Sequence, residues 1–532
     1  MNNNLKIKTL FVLVAFLLSA MYVMQTPTAT NAKTSKANQG VTLKVLVSDQ
    51  QLPDIQGFAP TIQADSNGLI SNITVVSSAS RSDDQYSYLQ TLFTTGSSEF
   101  DAVSMDVIWP AGFADHLVDL SDTFNQSFMN TLLKAHAESM VWNGKVIAGP
   151  YFFDSGLVLY RKDILARNGL TIDNFKTWAD WSTNLNKILD NATEAALDPS
   201  LEGYVFQGDA YEGGIVNLVE WMGASGGTFI NNATGKANFA ASAGPALTWM
   251  SQLVAPKYTS PLDNPDCVCV STRSELIGDE GSAVTKWLAD NAVFQRNWPF
   301  SYTSSINDGV LNGSSVLKFT NGTSYNANVV ADPWFVDHPN EPRFGVTTLP
   351  YNATICGTNN EMGCRSAVLG GAVLGIPDTS THITAAKFFL KEIASKQFQI
   401  YQATHSGNTP VLKSIYTDGD LNGTSAEYKN LLYENVFQHV LPRPVNPKYV
   451  QMSQAIQPIF HNGFSGALSI QDALTQMDSK VNAILGFTST AAVSTSVEIS
   501  TKTVASPSFE VMVTLASIIS IAVITRIKKS RK

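Results

Sequence analysis

From residue 41 onward, short apolar runs alternate with segments whose apolar positions fall at helical spacing. Val41 to Val47 is a near-continuous apolar run of strand length, followed by the polar loop Ser48, Asp49, Gln50 and Gln51. A second run, Ile73 to Ser77, leads through Arg81 to a helix over Asp84 to Phe93. A third burst, Ala102 to Val103, ends at Ser104, Met105 and Asp106. Strand, helix and strand at this spacing predict a parallel α/β sheet, in which ligands bind beyond the carboxyl ends of the strands. That rule selects Asp49, Arg81, Asp106 and Trp109.

The segment Gly144 to Leu165 breaks the alternation. Pro150 fixes its own φ and drives Gly149 to extended geometry. Tyr151, Phe152, Phe153 and Asp154 then precede Gly156 and the apolar strand Leu157 to Tyr160. An aromatic cluster with one acid between two buried runs reads as the chain crossing between two lobes. Helices at Lys162 to Asn168 and Trp178 to Leu189 begin a second lobe. Gly203 to Phe229 predicts a strand, a Gly-rich loop holding Tyr211 and Glu212, and a helix. Gly281 to Phe300 predicts a helix through Trp287 and Val293 that delivers Asn297, Trp298 and Phe300. The polar, Gly- and Asn-rich stretch Ser301 to Pro342 reads as a surface insertion. In Val368 to Pro377 two glycines interrupt an apolar strand, the mark of a bulge or a close backbone approach. One long helix is predicted over Thr384 to His405, packing on the first lobe's sheet. Arg443-Pro444 precedes Tyr449 and a helical region, and the last helix opens at a capping box of Ser469 and Asp472.

Composition adds location. Lys6 and Lys8, the apolar stretch Leu10 to Val23 and the small residues up to Ala32 predict a secretory signal over 1–32, with no following cysteine to carry a lipid. Residues 488–508 are rich in Ser, Thr, Ala and Val, a composition that buries no core and predicts an extended stalk. Phe509 to Thr525 is mostly apolar and precedes Arg526, Lys528, Lys529, Arg531 and Lys532. This predicts a C-terminal transmembrane helix with a basic cytoplasmic tail (526–532), and Pro507-Ser508-Phe509-Glu510 with the apolar segment and basic tail also resembles archaeal C-terminal sorting signals. Eight Asn-x-Ser/Thr sequons, among them Asn72, Asn125 and Asn232, fit an extracellular glycoprotein. Only 15% of residues are charged, the net charge is −9, and no basic stripe lies outside the tail, which argues against a nucleic-acid partner. Four cysteines in an oxidising compartment predict two disulfides. Cys356 with Cys364 closes a short loop, Cys267 with Cys269 would make a strained ring, and pairing across the two segments is the alternative. No His or acid lies at zinc spacing, so no metal site is expected.

The side chains gathered at these landmarks suit a polar, ring-shaped ligand. Sugars present apolar C–H faces and a belt of hydroxyls, and call for aromatic platforms with a few fixed acceptors and forked donors. Asp106, Asp154 and Glu212 supply acceptors, Arg81 and Arg443 donors, and Trp109 and Trp298 platforms. A glycosidase would need two carboxylates flanking the scissile bond. No nucleophile-elbow, zincin, Walker or dinucleotide motif is present, so no catalysis and no cofactor are expected.

The hinge run GPYFFDSGLVLYRKDIL, EFDAVSMDVIWPAGFADHLVDLSDTF, FQGDAYEGGIVNLVEWMGASGG, RNWPF, LGGAVLGIP and RPVNPKYVQMSQAIQ follow one another in the order of a known family. In them the chain resembles the family 1 extracellular solute-binding proteins of ABC transporters, especially their trehalose/maltose-binding members, over about residues 41 to 487. The resemblance implies a two-lobe periplasmic-binding-protein-like α/β fold with three crossings, near Asp154, near Leu349 to Cys364 and near Thr404 to Leu412. The lobes would be 33–153 and 366–408 for the first, 154–350 (insertion about 301–342) and 409–487 for the second. It places Asp106, Phe152, Asp154, Trp298, Phe300, Gly371 and Arg443 against sugar, with Arg81, Tyr211 and Glu212 nearby. Phe152 and Phe300 stand where Tyr is common, and Ala372 where a Trp often follows the paired glycines, so one stacking platform is lost. The implied protein is a monomeric, C-terminally anchored surface receptor. It captures a di- or oligosaccharide and hands it to the permease of an ABC transporter. A sensor or adhesin on the same scaffold, or a receptor for peptides or polyols, is the alternative.

Overall fold

The computed structural model describes residues 40–79, 81–254, 268–307, 316–318, 324–326, 342–361, 363–364, 367–421, 436–437 and 440–487. Cys267, the sequons at Asn312, Asn321 and Asn422, most of the 301–342 insertion, the leader, the stalk and the C-terminal apolar segment lie outside them.

Two sheets organise the chain. The first runs β2 (Ile70–Ser77), β1 (Val41–Val47), β3 (Ala102–Asp106), β9 (Leu369–Gly375) and β4 (Gly149–Ser155). β2 and β3 are parallel to β1, while β9 lies antiparallel between β3 and β4. Helices α1 (Leu52–Asp65) and α2 (Ser82–Thr94) alternate with the first strands, so β1 is covered on both faces. Its Leu43, Val45, Leu46 and Val47 are buried accordingly. The second sheet runs β8 (Phe344–Thr347), β5 (Leu157–Arg161), β7 (Ala292–Asn297) and β6 (Glu202–Val205). Helices α3 (Trp178–Leu189), α4 (Glu212–Gly223), α5 (Gly244–Leu253) and α6 (Glu280–Leu288) belong to this lobe. The closing helices α9 (Tyr449–Ser465) and α10 (Ile470–Leu485) pack against α4 and α5.

The sequence expectations need three corrections. Val293 lies in strand β7, not in a helix: the turn Ala289 to Asn291 ends α6, and Ala292 to Asn297 is buried throughout. The helix expected over Thr384 to His405 is two, α7 (Ile383–Ile393) and α8 (Lys396–His405), because Ser395 caps a new start by accepting from Phe398 N at 3.2 Å. The redirected helix brings Gln399 and Gln402 Nε2 to the Tyr151 carbonyl at 2.7 and 3.0 Å. That carbonyl lies in the irregularity of the β4–β9 ladder, where Ala372 pairs with Phe152 and Val373 with Pro150. The first crossing falls at Gly156, between β4 and β5, near Asp154 as expected. The third comes later than Thr404 to Leu412. Leu132 bridges Leu412 and Leu133 N donates to Val411 O, so these residues stay with the first lobe; Leu369 N meets Leu441 O, and the chain leaves from there. The second crossing, between β8 and β9, carries the Cys356–Cys364 disulfide.

The start of α1 is tied to the end of α8 through one acid. Asp54 is buried, and Oδ2 accepts from Asn408 Nδ2 at 3.0 Å and Ser406 Oγ at 2.5 Å. Burial outweighs these hydrogen bonds and pushes the carboxyl up to about 6. A raised folded-state value means that Asp54's contribution is fully present below about pH 4 and is lost as pH rises through 6. Asp54→Asn retains an acceptor and cannot ionise. Denaturant unfolding should therefore find it more stable than the parent at pH 8, by up to about 3 kcal/mol, with the difference gone at pH 4. Equal pH profiles would refute this.

Candidate functional site

The first lobe's strand ends face the second lobe across a cleft of about 860 Å³, measured to its open mouth. One charged chain runs through it. Asp106 ends β3, and its Oδ1 accepts from Ile108 N at 3.2 Å, as an Asx turn, and from Arg443 Nη2 at 2.9 Å. Arg443 is buried in the third crossing. Its Nη1 donates to Glu212 Oε1 at 2.7 Å and its Nη2 also to Leu369 O at 3.2 Å. Glu212 opens α4, where a helix N-terminus favours negative charge, and accepts further from Tyr449 OH at 2.9 Å and from Ser453 Oγ. Burial pulls the Arg443 guanidinium down, but Asp106 and Glu212 together outweigh it and hold it above its usual value. Acids from both lobes thus converge on one arginine.

Asp154 differs. It lies in β4, is 9% exposed, and its Oδ1 finds no hydrogen-bond partner among the described residues. Burial pushes its carboxyl well above the ordinary range; Arg296 opposes this and Asp106 adds to it. With one oxygen unpartnered, this carboxyl is free to accept a hydrogen bond from whatever enters the cleft. The paired glycines beside it are dictated by close approach. Gly371 has φ of +103°, and a Cβ there would meet Phe152 O at 2.3 Å; one on Gly370 would meet the Trp298 ring at 2.5 Å.

The aromatic lining is Trp109, Phe152, Tyr211, Trp298 and Phe300. Trp109 precedes Pro110 at the start of a short helix and lies tilted against Tyr86, with ring centroids 5.7 Å apart. Trp298 follows β7 and has the Arg296 guanidinium 4.2 Å from its ring. Arg296 is fully buried and held by Glu220, Nε to Oε2 at 2.8 Å and Nη2 to Oε1 at 2.6 Å. That pair fills the space at the first crossing, since a Cβ on Gly156 would overlap Glu220 Oε1.

Asp106, Phe152, Asp154, Trp298, Phe300, Gly371, Arg443, Tyr211, Glu212 and Trp109 are therefore brought together. Arg81 is not in the lining. It stacks on the Tyr211 ring at 4.5 Å, and its Nη2 pairs with Asp209 of the second lobe at 3.1 Å, a contact between lobes beside the lining. Asp49 lies outside the lining as well, where Ser77 Oγ donates to it, and its neighbours Gln50 and Gln51 line the cleft. Sequence reasoning missed Glu280, which also lines it. A signal existed: α6 and β7 are joined by a short turn and run back on each other, so the start of α6 lies beside the end of β7 that carries Trp298. The acids of the lining are Asp106, Asp154, Glu212 and Glu280, and its one basic residue among the described residues is Arg443.

Residues 61–431 match the family model described as bacterial extracellular solute-binding protein. A probable ABC transporter-binding protein of Deinococcus radiodurans is 27% identical over 425 residues, covering 78% of this chain and 87% of that one. Among solved structures, maltose-bound MalE3 of T. maritima superposes with a TM-score of 0.68 at 25% identity, over 84% of this chain and 100% of that chain. The GacH receptor of Streptomyces glaucescens, solved unliganded and with acarbose, gives 0.64 at 15% identity over 84% and 99%, a likeness of fold.

Proposed function

Because the chain belongs to the bacterial extracellular solute-binding protein family, we propose that it is a receptor that closes its two lobes around a neutral carbohydrate and presents it to an ABC permease. The observation that carries this reading is the convergence, from both lobes, of the Asp106–Arg443–Glu212 chain, the unpartnered Asp154 and the Trp298 platform on one cleft. Hydroxyls suit fixed carboxylates and a forked cation, and ring faces suit an indole. The excess of acids argues against sugar phosphates and uronates. Ligand touching both lobes stabilises the closed state by its differential contacts.

We assign residues 41–155 and 369–441 to the first lobe and 157–347 and 443–487 to the second, with 1–32 a leader and 488–508 a stalk. The apolar segment 509–525 with its basic tail would hold the receptor at the outer face of the membrane, and a tether raises its effective concentration near a permease. Among the described residues no helix is long and apolar enough to cross a membrane; the proposed anchor lies outside them. Asn72, Asn125 and Asn232 are the exposed sequons among the described residues and are the proposed glycan carriers.

Trp298→Ala tests the platform. Calorimetric titration with the best-binding neutral saccharide should show a loss of about 1–3 kcal/mol, the usual cost of truncating an aromatic anchor. Unchanged affinity would remove Trp298 from the site.

A further inference from the structure

Tyr211 and Trp298 come from different elements of the second lobe and yet share one construction. Each ring rests against a glycine: a Cβ on Gly213 would meet Tyr211 OH at 2.2 Å, and one on Gly370 would meet Trp298. Each carries a guanidinium on its face, Arg81 on Tyr211 and Arg296 on Trp298, and each guanidinium is matched by its own acid, Asp209 or Glu220. The polar edges of both rings meet at Glu280. Its Oε2 accepts from Tyr211 OH at 2.5 Å and its Oε1 from Trp298 Nε1 at 3.4 Å, while its backbone carbonyl accepts from Asn297 Nδ2 at 3.1 Å. The carboxylate is itself fixed. Its neighbour Asp279 caps α6 in a reciprocal pair with Ser282, which sets where the first turn points.

From this geometry we infer that Glu280 is the positioning residue of the cleft, locking the Tyr211 and Trp298 rings in one relative orientation and thereby setting which ring-shaped ligands fit between the lobes. The inference rests on the carbohydrate reading above. A carboxylate with two oxygens is required because both partners are donors, and indole has no lone pair to offer in return. Burial and the Glu280 charge together hold the Tyr211 hydroxyl protonated, so it remains a donor across the working pH range. Glu280 acts through the rings: it spends both oxygens on them, and its effect on ligand is to remove the alternative settings those rings would otherwise sample.

Glu280→Gln keeps size and first-turn position but offers one acceptor and one donor, so one ring must lose its partner. The intact protein and the Glu280→Gln, Tyr211→Phe, Trp298→Phe and combined variants would be titrated with maltose, trehalose, glucose and mannitol, each below its own unfolding transition. Glu280→Gln should weaken the best ligand about 10-fold or more, the scale of a hydrogen bond to a charged group, and narrow the spread between best and worst ligands. In the Tyr211→Phe/Trp298→Phe background, which keeps an aromatic ring at each position but removes both donors, Glu280→Gln should change affinity by less than about 2-fold, the non-additivity of groups acting as one unit. A purely structural role would lower the unfolding temperature with affinity and selectivity intact. That result, or full additivity in the cycle, overturns the inference while leaving the receptor reading standing. Failure of the unmodified protein to bind any of the four would overturn the receptor reading, and this inference with it.

Discussion

Arg443→Met is expected to weaken saccharide binding by about 2–5 kcal/mol, a loss of roughly 30- to several-thousand-fold, the usual cost of truncating one partner of a buried, hydrogen-bonded charge pair. Arg443 joins Asp106 of the first lobe to Glu212 of the second at 2.9 and 2.7 Å and supports the crossing through Leu369 O. Methionine fills much of the volume and removes the charge, leaving Asp106 and Glu212 to repel each other across the cleft. Among the described residues Glu212 keeps Tyr449 and Ser453, whereas Asp106 keeps the Ile108 amide alone, so the damage should centre on Asp106. Arg443→Lys restores the charge but its compact ammonium does not reproduce the fork, so it should recover only part of the affinity. Unfolding of the ligand-free variant should report a smaller change than titration does. Affinity equal to the parent's would show that the arginine serves the fold and not the ligand.

The second large effect is on stability. Arg296→Leu strands Glu220, which is 1% exposed and whose Oε1, among the described residues, then accepts only from Val368 N at 3.3 Å. An uncompensated buried charge of this kind costs about 3–5 kcal/mol. Replacing both residues, Arg296→Leu with Glu220→Leu, should recover most of that loss, because an apolar pair of similar volume needs no compensation. Gln207, whose Oε1 accepts from Arg296 Nη1 at 2.9 Å, keeps Asn217 Nδ2 as donor. Binding should not recover, since Trp298 has lost the cation on its face. Denaturant unfolding and titration of the same variants therefore separate the two roles. Recovery of both together would show that the pair matters to the fold alone.

Much of this architecture was legible in the sequence, for identifiable reasons. Val41 to Val47 and Trp178 to Leu189 were read at their observed limits because the first is a mostly apolar, β-branched run bounded by polar loop residues and the second repeats aromatic and aliphatic residues at helical spacing. The break at Ser395 was not legible. Apolar spacing continues through it and masks the local cap at Ser395, which starts a new helix whose Gln399 and Gln402 meet the Tyr151 carbonyl. Val293 misled for the opposite reason: α6 and β7 are separated by three residues and carry one continuous apolar signal. The third crossing escaped because nothing local marks Leu441; only its pairing with Leu369 does.

At the site, residue type and motif order gathered ten of the twelve proposed residues in one cleft. They could not assign partners. Arg81 has the chemistry of a ligand donor, and only the fold shows that Asp209 and the Tyr211 ring occupy it. Glu280 has the chemistry of a surface acid in a first helical turn, and only the fold brings two ring donors to it.

The most direct measurement is calorimetric titration of the intact protein with neutral mono-, di- and oligosaccharides beside their phosphorylated and uronate counterparts, polyols and short peptides. Saturable binding of one neutral class, with anionic counterparts weaker and with the sugar recovered unchanged, is what the cleft predicts. At 100 times the dissociation constant such a ligand should add about 2.7 kcal/mol of stability. Binding of peptides or anionic sugars in preference to every neutral saccharide would contradict the account.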